Sequence, residues 1–361
     1  MTATVSGDQF AQLLRDKVPF IDVRAEVEFT KGSVPGAVNM PILNTAERHE
    51  VGTVYKTQGQ ASAIRMGHEL VSGDLREQRT EAWCNFARDN PNTCVFCWRG
   101  GMRSNLAVQW MHQAGCITPV IEGGFKALRR FLMQTIEEAA TKPMLRLGGR
   151  TGSDKTGLLQ TLPNGIDLEG HANHRGSSFG RRATEVPTQI DFEHSLAVDL
   201  LDFLHNQTHT QNRLVVEDES ARIGAVGVPP TFFQAMRRSP LVVIDRPLAE
   251  RVEVIRRLYV ENLLQEYIAL GGDQPQRAFA QHLQSAMQRI SKRLGGARYK
   301  RLSKLLNAAL ASGNSEDHNG WIEPLLTDYY DPLYDYQLQK TRPQIVFQGG
   351  YHEVADWLPV N

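Results

Sequence analysis

The sequence predicts an α/β chain of two units, each built on a parallel sheet. Two observations carry this. Short apolar runs alternate with helical patterns along most of the 361 residues, the order that gives parallel strands joined by crossover helices. Twice, such a run ends in a glycine-rich turn that opens a helix: after Cys94-Val95-Phe96 and after Met144-Leu145-Arg146-Leu147. The length agrees, because single cores stop growing at roughly 250–300 residues.

Lys plus Arg number 40 and Asp plus Glu number 40, so the formal net charge is zero. A polyanionic partner must then be met by a local patch rather than a global field. Four cysteines without a regular framework point to a reducing compartment. Met1–Phe20 does not read as a secretory leader, and no apolar run is long enough to span a membrane. The expectation is a soluble, cytoplasmic protein, a monomer without a membrane partner and without a tightly bound cofactor.

In the first unit, Phe10–Leu14 reads as a short amphipathic helix and Pro19–Arg24 as a strand. Glu28-Phe29 and Lys31–Pro41 follow as a loop and a second strand. Asn44–Leu70 is a polar insertion, read as a surface helix-loop rather than a lid. The Cys97 turn comes next, then a strand and turn at Val120–Leu128. Cys97 stands on a strand-to-helix turn, where backbone N–H groups and the helix dipole favour an anion. Arg99 and Arg103 add charge, and Gly100 and Gly101 permit the backbone angles such a ring of amides needs. A thiol so placed is expected as a thiolate nucleophile. Cys84, Cys94 and Cys116 read as ordinary buried cysteines.

Ala139–Pro143 reads as a linker. Met144–Leu147 is a strand leading into Gly148-Gly149-Arg150-Thr151-Gly152-Ser153-Asp154-Lys155-Thr156. A helix carrying Leu158, Leu159 and Leu162 is expected next, stopped by Pro163. Strand, glycine-rich loop, Lys-Thr and helix make a P-loop arrangement: the amides of Gly149–Ser153 cradle a diphosphate, Lys155 neutralises it, and Thr156 can hold Mg²⁺. Asp154 departs from the pattern, which asks for glycine there. Further strands are expected at Gly165–Leu168, Leu214–Glu217, Leu241–Ile244 and Gln344–Phe347, completing a five-stranded parallel sheet. Glu217 and Asp218 end the third strand of that sheet, Leu214–Glu217, where an acidic Mg²⁺ contact or a solvated turn are both open; Asp218 with Thr156 is the candidate metal pair.

Three segments remain. His171–Gly180 is rich in glycine and serine, and Arg175, Ser177 and Ser178 are candidate anion ligands. Arg289–Lys304 carries seven cations and no acid. Arg289, Lys292 and Arg293 share one helical face, Gly295-Gly296 break the helix, and Arg298, Arg301 and Lys304 recur beyond it. These six are the candidate RNA contacts. Tyr329–Tyr336 is aromatic and can stack a base or pack on the sheet.

Asp22-Val23-Arg24, Glu28-Phe29, Gly32–Pro41, the Cys97 loop and Glu122-Gly123-Gly124-Phe125 together resemble the rhodanese family over about residues 8–137. The loop is Cys-x5-Arg-Ser, one residue longer than in simple sulfurtransferases and similar in length to that of tyrosine phosphatases, which place His where this chain has Phe96. A rhodanese module followed by a P-loop, with Ala172–Gly180, Val216–Gly224 and Tyr330–Tyr336, resembles the bacterial tRNA 2-selenouridine synthase family over nearly the whole chain. The resemblance implies a rhodanese-like α/β domain at 1–138, a linker at 139–143, and a P-loop α/β domain at 144–361 with added basic helices at about 248–340. It implies a transferase that replaces the sulfur of wobble 2-thiouridine, U34, in tRNAs for Lys, Glu and Gln with selenium. Selenophosphate and geranyl diphosphate are the implied substrates, Cys97 the selenium carrier, and Arg99 and Arg103 its anion stabilisers. The rivals are a P-loop kinase or ATPase with a rhodanese regulator, a non-catalytic RNA-binding relay subunit, and a phosphatase.

Overall fold

The computed structural model describes residues 3–205, 213–341 and 344–359. It divides into two compact units. The first takes the chain up to Glu137 together with Thr188–His205; the second takes Glu138–Pro187 and the chain beyond His205.

The first unit holds a parallel sheet of β1 (Thr4–Val5), β2 (Phe20–Asp22), β3 (Ala37–Asn39), β4 (Cys94–Phe96) and β5 (Val120–Ile121), in the order β1-β5-β4-β2-β3. β2 and β4 are buried at every position and pair in register, Phe20 with Cys94 and Asp22 with Phe96. They are therefore continuous apolar runs rather than alternating ones. The polar insertion folds as two helices, Thr45–Gln58 and Gln60–Leu70, broken by Gly59 at φ +84°. Ala63 is the only buried residue of the pair, as a surface element requires.

A helix at Gln189–His205 completes this unit, although the expected boundary assigned it to the P-loop half. Phe192, Leu196, Leu200 and Leu201 are buried on it. Its first turn is bonded to the loop before β3. Ser33 N–H donates to Asp191 at 2.9 Å, and His194 Nδ1–H donates to the Ser33 carbonyl at 2.6 Å. Arg129 donates to Glu193 at 2.7 Å. Burial holds His194 down at about 4, so the imidazole stays neutral with both nitrogens engaged.

The second unit holds β6 (Met144–Gly149), β7 (Gly165–Ile166), β8 (Leu214–Glu217), the hairpin β9 (Arg222–Ile223) and β10 (Val226–Gly227), β11 (Leu241–Ile244) and β12 (Ile345–Gly349). The parallel sheet runs β12-β11-β6-β8-β7. The order reverses about β6, so the crevice beyond its carboxyl end is the topological switch point, the usual ligand position in such sheets. The P-loop follows β6 directly. Its helix is shorter than the leucines suggested, Lys155–Leu159, because the chain turns tightly through Leu162 and Gly165. Leu168 starts a helix rather than ending a strand, since the Asp167 carboxylate caps it by accepting from Gly170 N–H. A helical layer from Leu248 to Thr341 packs around Leu283, Met287, Ile290, Leu302, Leu306 and Trp321. No helix among the described residues is long and apolar enough to cross a membrane.

Candidate functional site

Cys97 leaves β4 into a loop held by the turn after β5. Phe125 N–H donates to the Cys97 carbonyl at 2.8 Å and Lys126 N–H to that of Trp98 at 3.0 Å. The two turns meet glycine to glycine. A Cβ on Gly100, at φ +62°, would lie 2.7 Å from Gly123 N and from the Ile121 carbonyl, and one on Gly124 would collide with the Cys97 carbonyl and Gly100 N. Behind the loop, Arg24 and Asp22 form a fully buried ion pair, and the guanidinium lies 3.9 Å from the centre of the Phe125 ring.

The Cys97 sulfur lies 3.2 Å from Ser104 Oγ. The same hydroxyl is 3.2 Å from the Gly101 carbonyl, so its proton serves one at a time. Burial pushes the thiol up, but the Ser104 hydroxyl, the N–H groups of Ser104 and Arg99, and the charge of Arg103 more than offset it. Cys97 is held below the ordinary thiol value, while burial pushes Cys94 up to about 11 and, with Cys116 beside it, Cys84 likewise to about 11. Arg103 is not free to wrap an anion. It is clamped by Glu28 through both Nη atoms, at 2.6 and 3.1 Å. Arg99 is exposed, and its contribution is its main chain.

In the second unit, Gly149, Thr151, Gly152, Lys155, Thr156, Arg175, Ser177 and Asp218 line one cavity of about 900 Å³. Arg150, Ser153, Ser178 and Glu217 stand outside its lining. Lys155 Nζ reaches back to the Gly149 carbonyl at 3.3 Å. The loop is braced from the helical layer: Arg251 donates to the Thr151 carbonyl and pairs with Asp331 at 2.7 Å, and Arg150 pairs with Asp335 at 2.9 Å. Asp331 and Asp335 are one turn apart, as are Tyr330 and Tyr334, and the tyrosines line the cavity. The Tyr-Asp motif therefore braces the phosphate loop and supplies an aromatic wall.

Residues 142–361 match the family model described as the tRNA 2-selenouridine synthase AAA domain, and residues 6–130 match the rhodanese-like domain. The chain belongs to the tRNA 2-selenouridine synthase family. It is 47% identical over 363 residues to the tRNA 2-selenouridine synthase of Marinobacter nauticus, covering 99% of this chain and 98% of that one. It is 47% identical to that of Pseudomonas entomophila, covering 97% and 95%, and 48% identical to that of Cupriavidus necator, covering 97% and 96%.

For this member of the synthase family, Asp154 has a resolved place. It holds the left-handed conformation, φ +64°, that glycine would otherwise supply. Its carboxylate is paired with Arg246 at 3.5 Å and Arg257 at 3.4 Å. The expected metal pair of Thr156 and Asp218 does not form. Asp218 is bound by buried Arg146 at 2.7 Å and by Arg237 at 3.3 Å, while the Thr156 hydroxyl donates to Glu217 at 2.6 Å. Burial first, then Asp167, pushes Glu217 up to about 8, and burial with Glu217 and Glu219 raises Glu169 well above the carboxylate range. Among the described residues, no group of three or more His, Cys, Asp or Glu is placed to hold a metal ion. A divalent cation at Thr156 would draw its other oxygens from bound phosphate and water.

Arg175 pairs with Glu266 at 2.7 Å and lies over the Tyr259 ring, and Ser177 Oγ donates to Tyr259 at 3.3 Å. The Ser178 carbonyl accepts from Arg289 at 2.8 Å. The basic run is two helices, Pro275–Leu294 and Gly296–Ser312, broken at Gly295 with φ +84°. It is not free of acid in space. Asp328 binds Arg301 at 2.8 Å, and its carbonyl accepts from Arg298 at 3.4 Å. Lys292, Arg293 and Lys304 are exposed. Sequence reasoning did not single out Glu169, Arg246, Arg251, Arg257, Tyr259 or His174 as site residues. Only His174 lay in a segment flagged for anions; the others reach the site through tertiary contacts.

Proposed function

We propose that this chain converts 2-thiouridine at U34 of tRNAs for Lys, Glu and Gln into 2-selenouridine through an S-geranyl intermediate. The thiocarbonyl sulfur attacks C1 of geranyl diphosphate, the C1–O bond breaks, and diphosphate leaves. Selenium then adds at C2 and the sulfur departs as geranylthiol, a far better leaving group than the original sulfur. Gly149–Thr156 with Lys155 hold the diphosphate as charge develops on it. The Cys97 thiolate takes the phosphoryl group of selenophosphate, the P–Se bond breaks, and the selenium leaves at the selenide level to add at C2, with water then freeing phosphate from the cysteine. Selenophosphate and geranyl diphosphate are substrates, and any Mg²⁺ would arrive with the diphosphate.

One observation carries this reading. The cavity that contains the phosphate loop is also walled by Phe233, Val254, Ile255, Leu258, Tyr259 and Leu338. A site with a phosphate cradle and an apolar wall suits a diphosphate attached to a hydrocarbon chain. The test is mass spectrometry of nucleosides from thiolated tRNA after incubation with the protein, geranyl diphosphate and selenophosphate. S-Geranyl-2-thiouridine followed by 2-selenouridine is expected. Lys155→Ala should lose both products, and pre-geranylated tRNA should restore part of the second. tRNA-stimulated ATP hydrolysis without either product would establish the kinase or ATPase reading instead.

A further inference from the structure

S-Alkylation has a proton balance that the phosphate loop does not meet. A 2-thiouracil carries hydrogen on N3. In the S-alkyl product N3 is an imine nitrogen, so one proton must leave as the sulfur–carbon bond forms. The sulfur must also approach C1 of the allyl group closely, so the base shares the cavity with the diphosphate. A wobble base lies in a single-stranded loop and can be splayed out to reach it. Any assignment of a residue to this proton rests on the alkylation step proposed for this chain.

The acids that line the cavity are poor candidates for this proton. Glu169 is buried beside Glu217 and Glu219, burial and their charges raise its pKa, and its carboxylate is already engaged by the Thr156 hydroxyl at 3.4 Å and by Glu219. Asp154 and Asp218 are each held by two arginines. Asp167 accepts from Gly170 N–H at 2.6 Å and from Gln160 at 2.8 Å. Glu219 shares a hydrogen bond with Glu169.

His174 differs from all of them. It lines the cavity, and its Nδ1 is buried without a hydrogen-bond partner. Its main chain is fixed on both sides: its N–H donates to the Glu169 carbonyl at 3.0 Å, and it bridges Arg181 across the neck of the loop that Arg175 N–H closes onto the Gly180 carbonyl at 2.8 Å. Its ring is pinned by the β9–β10 turn, where a Cβ on Gly224 would lie 2.7 Å from Cδ2. Burial, then the charges of Arg289, Arg175 and Arg181, lower its pKa. The free imidazole is therefore the resting form at neutral pH, with a lone pair and no partner.

We propose that His174 is the base that accepts the N3 proton during S-alkylation. The N3–H electron pair becomes the N3=C2 double bond, the thiocarbonyl π pair forms the S–C1 bond, and the C1–O pair leaves on the diphosphate. The imidazolium so formed returns its proton to water as diphosphate departs. Arg175 remains on Glu266 with its Nη1 buried and unpartnered, a donor within the same cavity lining.

The experiment is single-turnover geranylation of thiolated tRNA by the full chain, comparing wild type with His174→Asn and His174→Gln. Both variants should lose roughly 10²–10⁴-fold in rate, the usual worth of a general base, with KM for geranyl diphosphate within about twofold of wild type. At alkaline pH, where 2-thiouracil loses N3–H unaided, their rates should climb towards that of wild type. The proposal is overturned if the His174 variants match wild type at neutral pH. It is equally overturned if their loss persists unchanged in alkali. Absence of S-geranyl product with wild type would sink the alkylation reading itself, which separates that failure from failure of His174.

Discussion

Gly124→Ala should unfasten the Cys97 loop, and the cost can be worked from its contacts. Gly124 sits at φ +59°, where a side chain costs about 1–2 kcal/mol. Its Cβ would also run into the Cys97 carbonyl and Gly100 N, which are backbone and cannot swing aside. The turns must separate, weakening the Phe125-to-Cys97 and Lys126-to-Trp98 hydrogen bonds, about 1 kcal/mol each. The sum is about 3–4 kcal/mol. Gly115→Ala is the control: it too has positive φ, +80°, but a Cβ there meets nothing within 4 Å. It should cost only about 1–2 kcal/mol, the backbone part. Urea unfolding of the full chain, followed by a probe in the first unit, measures both. Iodoacetamide labelling of Cys97 against pH reports the loop, and Gly124→Ala should shift its midpoint upward while Gly115→Ala leaves it in place. Equal destabilisation by the two variants, with an unmoved Cys97 midpoint, would refute the close-packed-turn argument.

Three further outcomes are expected. Cys97→Ser should abolish 2-selenouridine while leaving S-geranyl-2-thiouridine to accumulate, read by nucleoside mass spectrometry; selenation at the wild-type rate would remove Cys97 from the selenium step. Because its pKa is lowered in the fold, Cys97 stays thiolate to lower pH than an ordinary thiol and should label before Cys84 and Cys94, and Ser104→Ala should move its midpoint upward. Reversing Lys292 and Arg293 to Glu should weaken tRNA binding and flatten its salt dependence, by roughly 0.7–0.9 in log–log slope per lost phosphate contact; Arg301→Glu should do less, since Asp328 already holds Arg301.

Both loops were legible because their chemistry is local. Cys97, its glycines and its Arg-Ser end lie within eight consecutive positions, and the amides that favour a thiolate belong to the same turn. The Gly149–Thr156 loop is equally contiguous. What the sequence concealed depends on distant partners. Asp154 looked hostile to a diphosphate until Arg246 and Arg257, far along the chain, took up its charge. Asp218 looked available to a metal, yet Arg146, whose spacing placed it in a strand like its apolar neighbours, holds it from within the sheet. The basic run looked unopposed because Asp328 follows it by more than twenty residues. The helix at Gln189–His205 was not singled out in the sequence at all, and even a visible apolar face would not have told which core it covers.

That helix has a consequence for how the protein is made. The chain passes from one unit to the other three times, after Glu137, after Pro187 and after His205. A gene cut at 139–143 therefore transplants neither module whole, because a product ending there lacks Phe192, Leu196 and Leu200. Synthesis meets the same order. Domains generally fold as they emerge, the N-terminal one first. Here the first module waits for its last helix until β6, the phosphate loop and the Arg175 loop have already left the ribosome. The two modules must mature in overlapping time, and a pause in translation shortly before Thr188 would strand an unfinished Cys97 module together with a half-made phosphate site.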